Sequence, residues 1–279
     1  MGSRYDHPVP ETASVLLICV GAATGLVGSL LGIGGGVLLV PLLTLMLGVP
    51  IRAAIAASLI SVIASASASS TVNLDRGFVN LRLGMVLEVF TALGGRGGAL
   101  VASQLTQRQL FVVFGVALLA MGLLTMRRSG RRNVIPDTTL DPGLLGGRLT
   151  EDGVAYVYRV KRLPLAFGAS LIAGAISGLL GVGGGIVKVP VLNTLCGVPI
   201  RIAAATSAFM IGVTAASSVF IYYRLGHVDL RVSAAVALGA LPASLLGARL
   251  SHRVEARSLK VLMALILLAV GGRMTMQAL

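Results

Sequence analysis

Gly32-Ile33-Gly34-Gly35-Gly36-Val37-Leu38-Leu39-Val40-Pro41 and Gly181-Val182-Gly183-Gly184-Gly185-Ile186-Val187-Lys188-Val189-Pro190 are two copies of one pattern, 149 residues apart. Each is followed at the same spacing by Gly-Val-Pro-Ile-Arg, at Gly48 to Arg52 and Gly197 to Arg201. The register continues without a gap through Ser58 and Ser207, Gly77 and Gly226, Leu81-Arg82 and Leu230-Arg231, Gly98-Ala99 and Gly247-Ala248, and Arg108 and Arg257. A match held over that distance is the mark of an internal duplication.

The surroundings of the two copies are apolar. The 279 residues are 56% hydrophobic and 12% charged, with mean hydropathy +0.92 and net charge +13. A soluble domain carries about 25% charged residues, so a soluble enzyme is excluded. A nucleic-acid-binding domain, which displays its basic patch on a polar surface, is excluded too. Runs long enough to span a hydrocarbon core of about 30 Å occur at 13–33, 51–73, 83–102, 109–126, 164–182, 200–223, 232–250 and 259–277. The stretches 36–47 and 185–196, each just after a glycine cluster, are too short to cross and read as half-helices or re-entrant arms. No A-x-A-like cleavage site follows the first run, which reads as a retained helix.

These runs predict an all-α polytopic membrane protein built from two homologous repeats. The first repeat spans 13–126 and the second 163–279. Between them lies a basic connector, 127–162, with Arg127, Arg128, Arg131, Arg132, Arg148, Arg159, Lys161 and Arg162. The positive-inside rule places it in the cytoplasm, and its β-forming end from Val154 to Val160, after Glu151-Asp152-Gly153, suggests a hairpin. The segment 249–260 carries Arg249, His252, Arg253, Arg257 and Lys260, whereas the equivalent 100–111 carries only Arg108. Equivalent loops of such different basic content favour opposite sides of the membrane, hence inverted repeats. Cys19 and Cys196 read as small apolar packing residues.

Backbone broken at membrane depth is tolerated only where it is buried in protein or lines a cavity. Broken helices at corresponding places in two repeats are the best sequence pointer to a transporter site. Half-helices starting near Gly36 and Gly185 would aim free N–H groups and a positive dipole end at a small anion. The candidate substrate-binding residues are therefore Gly34, Gly35, Gly36, Gly183, Gly184 and Gly185. Close helix packing is the alternative use of such glycines. Neither cluster continues as a P-loop, and Val37 stands where a dinucleotide fingerprint needs Gly or Ala.

Lys188, opposite Leu39 in the repeat register, is a cation in an apolar half-helix, costly there unless it meets an anion or a partner. It serves the substrate or snorkels to the interface. Ser58, Thr206 and Ser207 offer hydroxyls to an oxyanion, with interhelical hydrogen bonding as the plain alternative. Arg52 and Arg201 are symmetric and read as gating residues at the two mouths or as interfacial anchors. Glu88 is the carboxylate well inside an apolar run, a proton-relay candidate or a partner of Arg96. No Ser-His-Asp set, paired carboxylates or metal-ligand spacing appears within the spans, so no enzymatic activity, metal or cofactor is expected.

With these residues assembled, the chain resembles the TauE/SafE family of sulfite exporters, among the 4-toluene sulfonate uptake permeases. The resemblance rests on Gly32 to Gly36 and Gly181 to Gly185, Pro41 and Pro190, and Gly-Val-Pro at 48–50 and 197–199. Lys188-Val189-Pro190 and Ala205-Thr206-Ser207 leading into Phe209-Met210-Ile211-Gly212-Val213-Thr214 reinforce it. The first copy departs from the pattern with Ala57-Ser58 where members often have Thr-Ser. The resemblance implies a secondary transporter that exports sulfite or organosulfonates across the inner membrane, whereas the residues themselves support only a small anion. An anion channel, or a scaffold or receptor acting through the basic connector, are the alternatives. The expected partners are a small anionic substrate, the lipid bilayer and a second copy of the chain in a homodimer, with no nucleic acid.

Overall fold

The computed structural model describes residues 11–31, 35–127, 141, 143–151, 154–250 and 256–278. Gly34 and much of the basic connector lie outside the described residues. Ten helices and one hairpin follow in order: α1 (Glu11–Leu31), the short α2 (Gly36–Leu47), α3 (Ile51–Asp75), α4 (Leu81–Gln104) and α5 (Gln107–Arg127), then the antiparallel strands β1 (Gly147–Glu151) and β2 (Val154–Tyr158). The second series is α6 (Leu163–Leu180), the short α7 (Gly185–Thr194), α8 (Ile200–Arg224), α9 (Leu230–Leu250) and α10 (Ala256–Ala278). Five helices, α3, α4, α6, α8 and α9, are long and apolar enough to cross a membrane. The described apolar parts of α1, α5 and α10, Ser14–Leu30, Gln107–Leu123 and Ala264–Gln277, are shorter than the crossings expected of them.

Equivalent residues make equivalent turns. Gly35 and Gly184 take φ of 65° and 68° just before α2 and α7, a left-handed conformation that only glycine adopts without strain. After the short helices, the N–H of Val49 donates to Leu43 O at 3.0 Å and that of Val198 to Leu192 O at 2.9 Å. Pro41 and Pro190 sit inside α2 and α7 and remove a donor from each. The start of the fourth helix in each series is also capped alike: Asn80 Oδ1 accepts from Leu83 N at 3.0 Å, and Asp229 Oδ1 accepts from Arg231 N and Val232 N. These caps satisfy first-turn N–H groups that no helix satisfies internally.

Glycine decides how closely the long helices approach. A Cβ on Gly174 or Gly178 of α6 would collide with the carbonyls of Thr91 and Gly95, and one on Gly94 or Gly98 of α4 with those of Leu171 and Ala175. The same device joins α1 to α9, where Gly21 meets Val236, Gly25 meets Ala240 and Gly247 meets Leu26. In both pairs the residue numbers rise together, so the two helices run in the same direction. Between α5 and α10 they rise in opposition, Gly115 meeting Thr275 and Gly122 meeting Leu268 and Ala264, so this pair is antiparallel. At the centre α3 packs on α8 and α9, and α8 on α3 and α4.

The hairpin marks one end of the bundle. Asn80, at the start of α4, donates through Nδ2 to Leu145 O and to the Tyr158 hydroxyl, both at 2.9 Å. Lys161 N donates to Cys196 O at 2.9 Å. The starts of α4, α6 and α8 therefore share the connector end, and the turns before α3, α5 and α9 lie at the other. Tyr158 is buried with Leu83, Leu87, Cys196, Val198 and Met210. Large apolar side chains such as Val89, Leu93, Leu238 and Leu246 face outward along α4 and α9, as lipid-facing helices require. Cys19, expected to be packed inside, also faces outward, because α1 turns a different face to α9.

The glycine contacts predict a contrast within one helix. Gly174→Ala should lower stability by about 1–3 kcal/mol through overpacking, whereas Gly168→Ala, with nothing within 4 Å of its Cβ, should be neutral or better. Thermal unfolding in detergent measures both.

Candidate substrate site

The two glycine breaks meet inside the protein. Gly36 packs so closely on the Gly181 carbonyl that a Cβ would collide with it, and Ser58 of α3 closes the contact. The Ser58 hydroxyl reaches Gly181 O at 2.8 Å and Gly36 O at 3.2 Å, so its single proton serves the carbonyls of both repeats. Ser207, its equivalent on α8, is fully buried, and its Oγ has no partner among the described residues. The equivalent of Gly181 is Gly32, which lies outside the described residues. Gly183 and Gly184 are buried with φ of 86° and 68°, and Gly185 opens α7. Gly184 O accepts from Val187 N and Lys188 N, so the α7 N-terminus begins as a regular turn.

Lys188 stands in the first turn and a half of α7 and is 2% exposed. Helical side chains lean toward the helix N-terminus, which sends the ammonium back toward the positive end of the α7 dipole. Two positive groups together need a negative one. Glu88 of α4 supplies it: the carboxylate is buried and within electrostatic reach of Lys188. Oε1 of Glu88 accepts from the Thr214 hydroxyl of α8 at 2.7 Å, and that hydroxyl also contacts Met210 O at 3.0 Å. Among the described residues, however, neither Oε2 of Glu88 nor Nζ of Lys188 has a hydrogen-bond partner. Snorkelling does not apply, since Lys188 is buried. Arg96 does not pair with Glu88 but is exposed, because eight residues further along α4 the helix presents another face.

The remaining candidates separate. Thr206 is fully buried and its Oγ1 accepts from Asn80 N at 3.0 Å, beneath the Asn80–Tyr158 bond. Burial raises the pKa of Tyr158, opposed by the Asn80 hydrogen bond, so its hydroxyl stays neutral at physiological pH. Arg52 lies at the other end, where Nη2 donates to Ser103 O at 3.1 Å and Leu105 O at 2.7 Å and ties α3 to the end of α4. Arg201 is exposed at the start of α8, at the connector end. Gly35 caps α2, and Gly34 lies outside the described residues. Among the described residues no three His, Cys, Asp or Glu side chains gather as a metal site would require.

Thr214, Asn80 and Tyr158 complete the site, and sequence reasoning did not single them out. Thr214 is 126 residues from Glu88, and nothing local distinguishes it from the other hydroxyls of α8. Asn80 carries a legible signal, a capping residue at a helix start, but its reach to Thr206 and Tyr158 is tertiary.

A polytopic helical bundle with a buried charge pair beside duplicated helix breaks belongs to the class of membrane transport proteins. The chain belongs to the Sulfite exporter TauE/SafE family, whose profile matches residues 17–274. It is 26% identical to a Bacillus subtilis (strain 168) protein called "Probable membrane transporter protein YunE", over 92% of this chain and 95% of that one. A probable membrane transporter protein of Methanocaldococcus jannaschii is 28% identical over 92% and 93% of the two chains. One from Xylella fastidiosa (strain 9a5c) is 28% identical over 88% of each. No solved structure matches the chain.

The charge pair is testable by a double-mutant cycle. Glu88→Ala removes the carboxylate within electrostatic reach of Lys188, together with its Thr214 hydrogen bond, and should cost about 0.5–3 kcal/mol. Glu88→Ala with Lys188→Met should cost less than the two single changes together. Unfolding in mixed detergent micelles reads the difference.

Proposed function

We propose that the protein is a secondary transporter that exports small sulfur-containing anions, sulfite or organosulfonates, across the inner membrane by alternating access. The observation that carries this reading is Lys188, a buried ammonium with no hydrogen-bond partner among the described residues, one turn inside a helix that starts at a glycine break. An oxyanion would find there a full charge and the α7 dipole, and the buried Ser207 hydroxyl of α8 has no partner of its own among the described residues. Family membership supports the sulfur-anion class and the outward direction.

The same reading takes the repeats as inverted, with eight crossings and α2 and α7 as re-entrant arms. Its support is directional: α5 and α10 occupy equivalent places in the two repeats yet run antiparallel. The connector end then faces the cytoplasm, since it gathers Arg76, Arg82, Arg148, Arg159, Lys161, Arg162, Arg201 and Arg249, against Arg52, Arg108, Arg224, Arg231 and Arg273 toward the other. Alternating access in such a protein is a rocking of one repeat against the other around the site.

Sulfite efflux from proteoliposomes tests the function. Wild-type flux should saturate with sulfite, and Lys188→Ala should lower it at least about tenfold, as expected for loss of a charged hydrogen bond of about 1.5–3 kcal/mol. Ser207→Ala should lower it less, and Gly168→Ala should leave it intact. Unsaturable flux would indicate a channel, and equal flux in wild type and Lys188→Ala would remove the site. For orientation, alkaline phosphatase fused behind α10 should be active and the same enzyme inserted in the connector inactive; the reverse pattern overturns the assignment.

A further inference from the structure

The charged centre exists once in the bundle, assembled from Glu88 of the first repeat and Lys188 and Thr214 of the second. Their register mates are Leu39 and Ser65 in the first repeat and Ala237 in the second, which carry no charge. Leu39 is fully buried, so the second copy of the centre is apolar. A protein that keeps both glycine breaks but a single buried ammonium and carboxylate has placed its charge chemistry off the symmetry axis. Glu88 and Lys188 each lie about 10 Å from the connector end, counted at 1.5 Å per helical residue, beneath Asn80, Thr206 and Tyr158.

The pair is incompletely bonded. Thr214 holds one carboxylate oxygen of Glu88, while the other oxygen and the Lys188 ammonium, both buried, lack hydrogen-bond partners among the described residues. With Glu88 ionised, the centre is neutral. An anion entering beside Lys188 would leave one negative charge in a low-dielectric interior, which is costly. Protonation of Glu88 restores neutrality. It also turns Oε2 into a donor, held in place by the Thr214 bond to Oε1.

We propose that the protein moves each anion together with one proton: the anion replaces the Glu88 carboxylate as the counter-charge of Lys188, and Glu88 is protonated in the same step. This rests on the anion-carrier reading. The proton comes from water on the side that supplies the anion, forms an O–H bond at Oε2, and returns to water on the far side as the anion leaves. Lys188 keeps its protons throughout. Among the described residues, the nearest other titratable groups are Tyr158 and Cys196, which share a cluster with Leu83, Leu87 and Met210 toward the connector end. Helix α6 has none between Leu163 and Leu180, α7 has only Lys188, and on α8 Arg201, Tyr222, Tyr223 and Arg224 lie at the ends. On α4 itself Arg82 lies at the start and Arg96 is exposed. A monoanion carried this way crosses without net charge. Flux then follows the product of the anion and proton gradients, outward whenever the anion accumulates inside strongly enough.

The test uses the full chain in proteoliposomes enclosing a pH-reporting dye, with inward gradients of methanesulfonate or sulfite and a potential set by potassium and valinomycin. Methanesulfonate has no proton of its own at neutral pH. Its uptake by wild type should acidify the lumen by one proton per anion and ignore the imposed potential. Glu88→Gln, which keeps the size and the Thr214 contact, should retain anion exchange while losing coupled proton uptake. Lys188→Met should lose both. Anion uptake by wild type without acidification, and faster at inside-positive potential, overturns the coupling and leaves the carrier reading standing. A proton-to-anion ratio in Glu88→Gln equal to that of wild type also overturns it. Where sulfite alone moves, that comparison at equal gradients decides. If neither anion moves in wild type, the carrier reading fails and the coupling with it.

Discussion

Backbone that leaves its helix inside a bilayer finds no water, and each N–H or C=O it frees must be satisfied by protein. Here two such breaks are pressed against one another, and the Ser58 hydroxyl serves the carbonyls of Gly36 and Gly181 across the repeat boundary. Only glycine allows that approach, since a Cβ on Gly36 would occupy the space of the Gly181 carbonyl. The rest of the bundle follows from this requirement. For the breaks to meet, α1 must cross to α9 and α4 to α6, so neighbouring helices come from different repeats and neither repeat packs by itself.

The same contact leaves the starts of α2 and α7 inside the protein with their dipoles uncompensated. In the first repeat the space behind the break is filled by Leu39 and the matter ends with packing. In the second, Lys188 adds a positive charge to a positive helix end. That combination is tolerated because Glu88 approaches from α4, oriented by Thr214 of α8. Duplication thus supplied two equivalent cradles, and divergence at three register positions made one of them ionic.

Much of this was open to a reading of the chain. The apolar runs, the two short helices, the turns at Gly35, Gly48, Gly184 and Gly197 and the family all follow from local composition and from the repeat, because turns and helix ends depend on neighbouring residues. Lys188 and Glu88 were also visible as ionisable groups out of place. What was not visible is that they lie within electrostatic reach of one another. Arg96, close in sequence, was as good a partner for Glu88 until helical phase put it on the outer face. Ser58 and Ser207 looked alike as oxyanion donors, yet Ser58 has its proton committed to main-chain carbonyls. Arg52, a candidate for a mouth, ties two helix ends together.

Membrane location, the repeated pattern 149 residues apart, the helix breaks and the family are all legible along the chain. Each of these rests on hydropathy or on spacing along one chain, and both survive without knowledge of the fold. Which helices are neighbours, the antiparallel run of α5 and α10, and the approach of Lys188, Glu88 and Thr214 from three helices emerge from the packing alone. Those facts depend on close contacts between residues more than seventy positions apart, set by where glycines let backbones touch, and no local pattern encodes them.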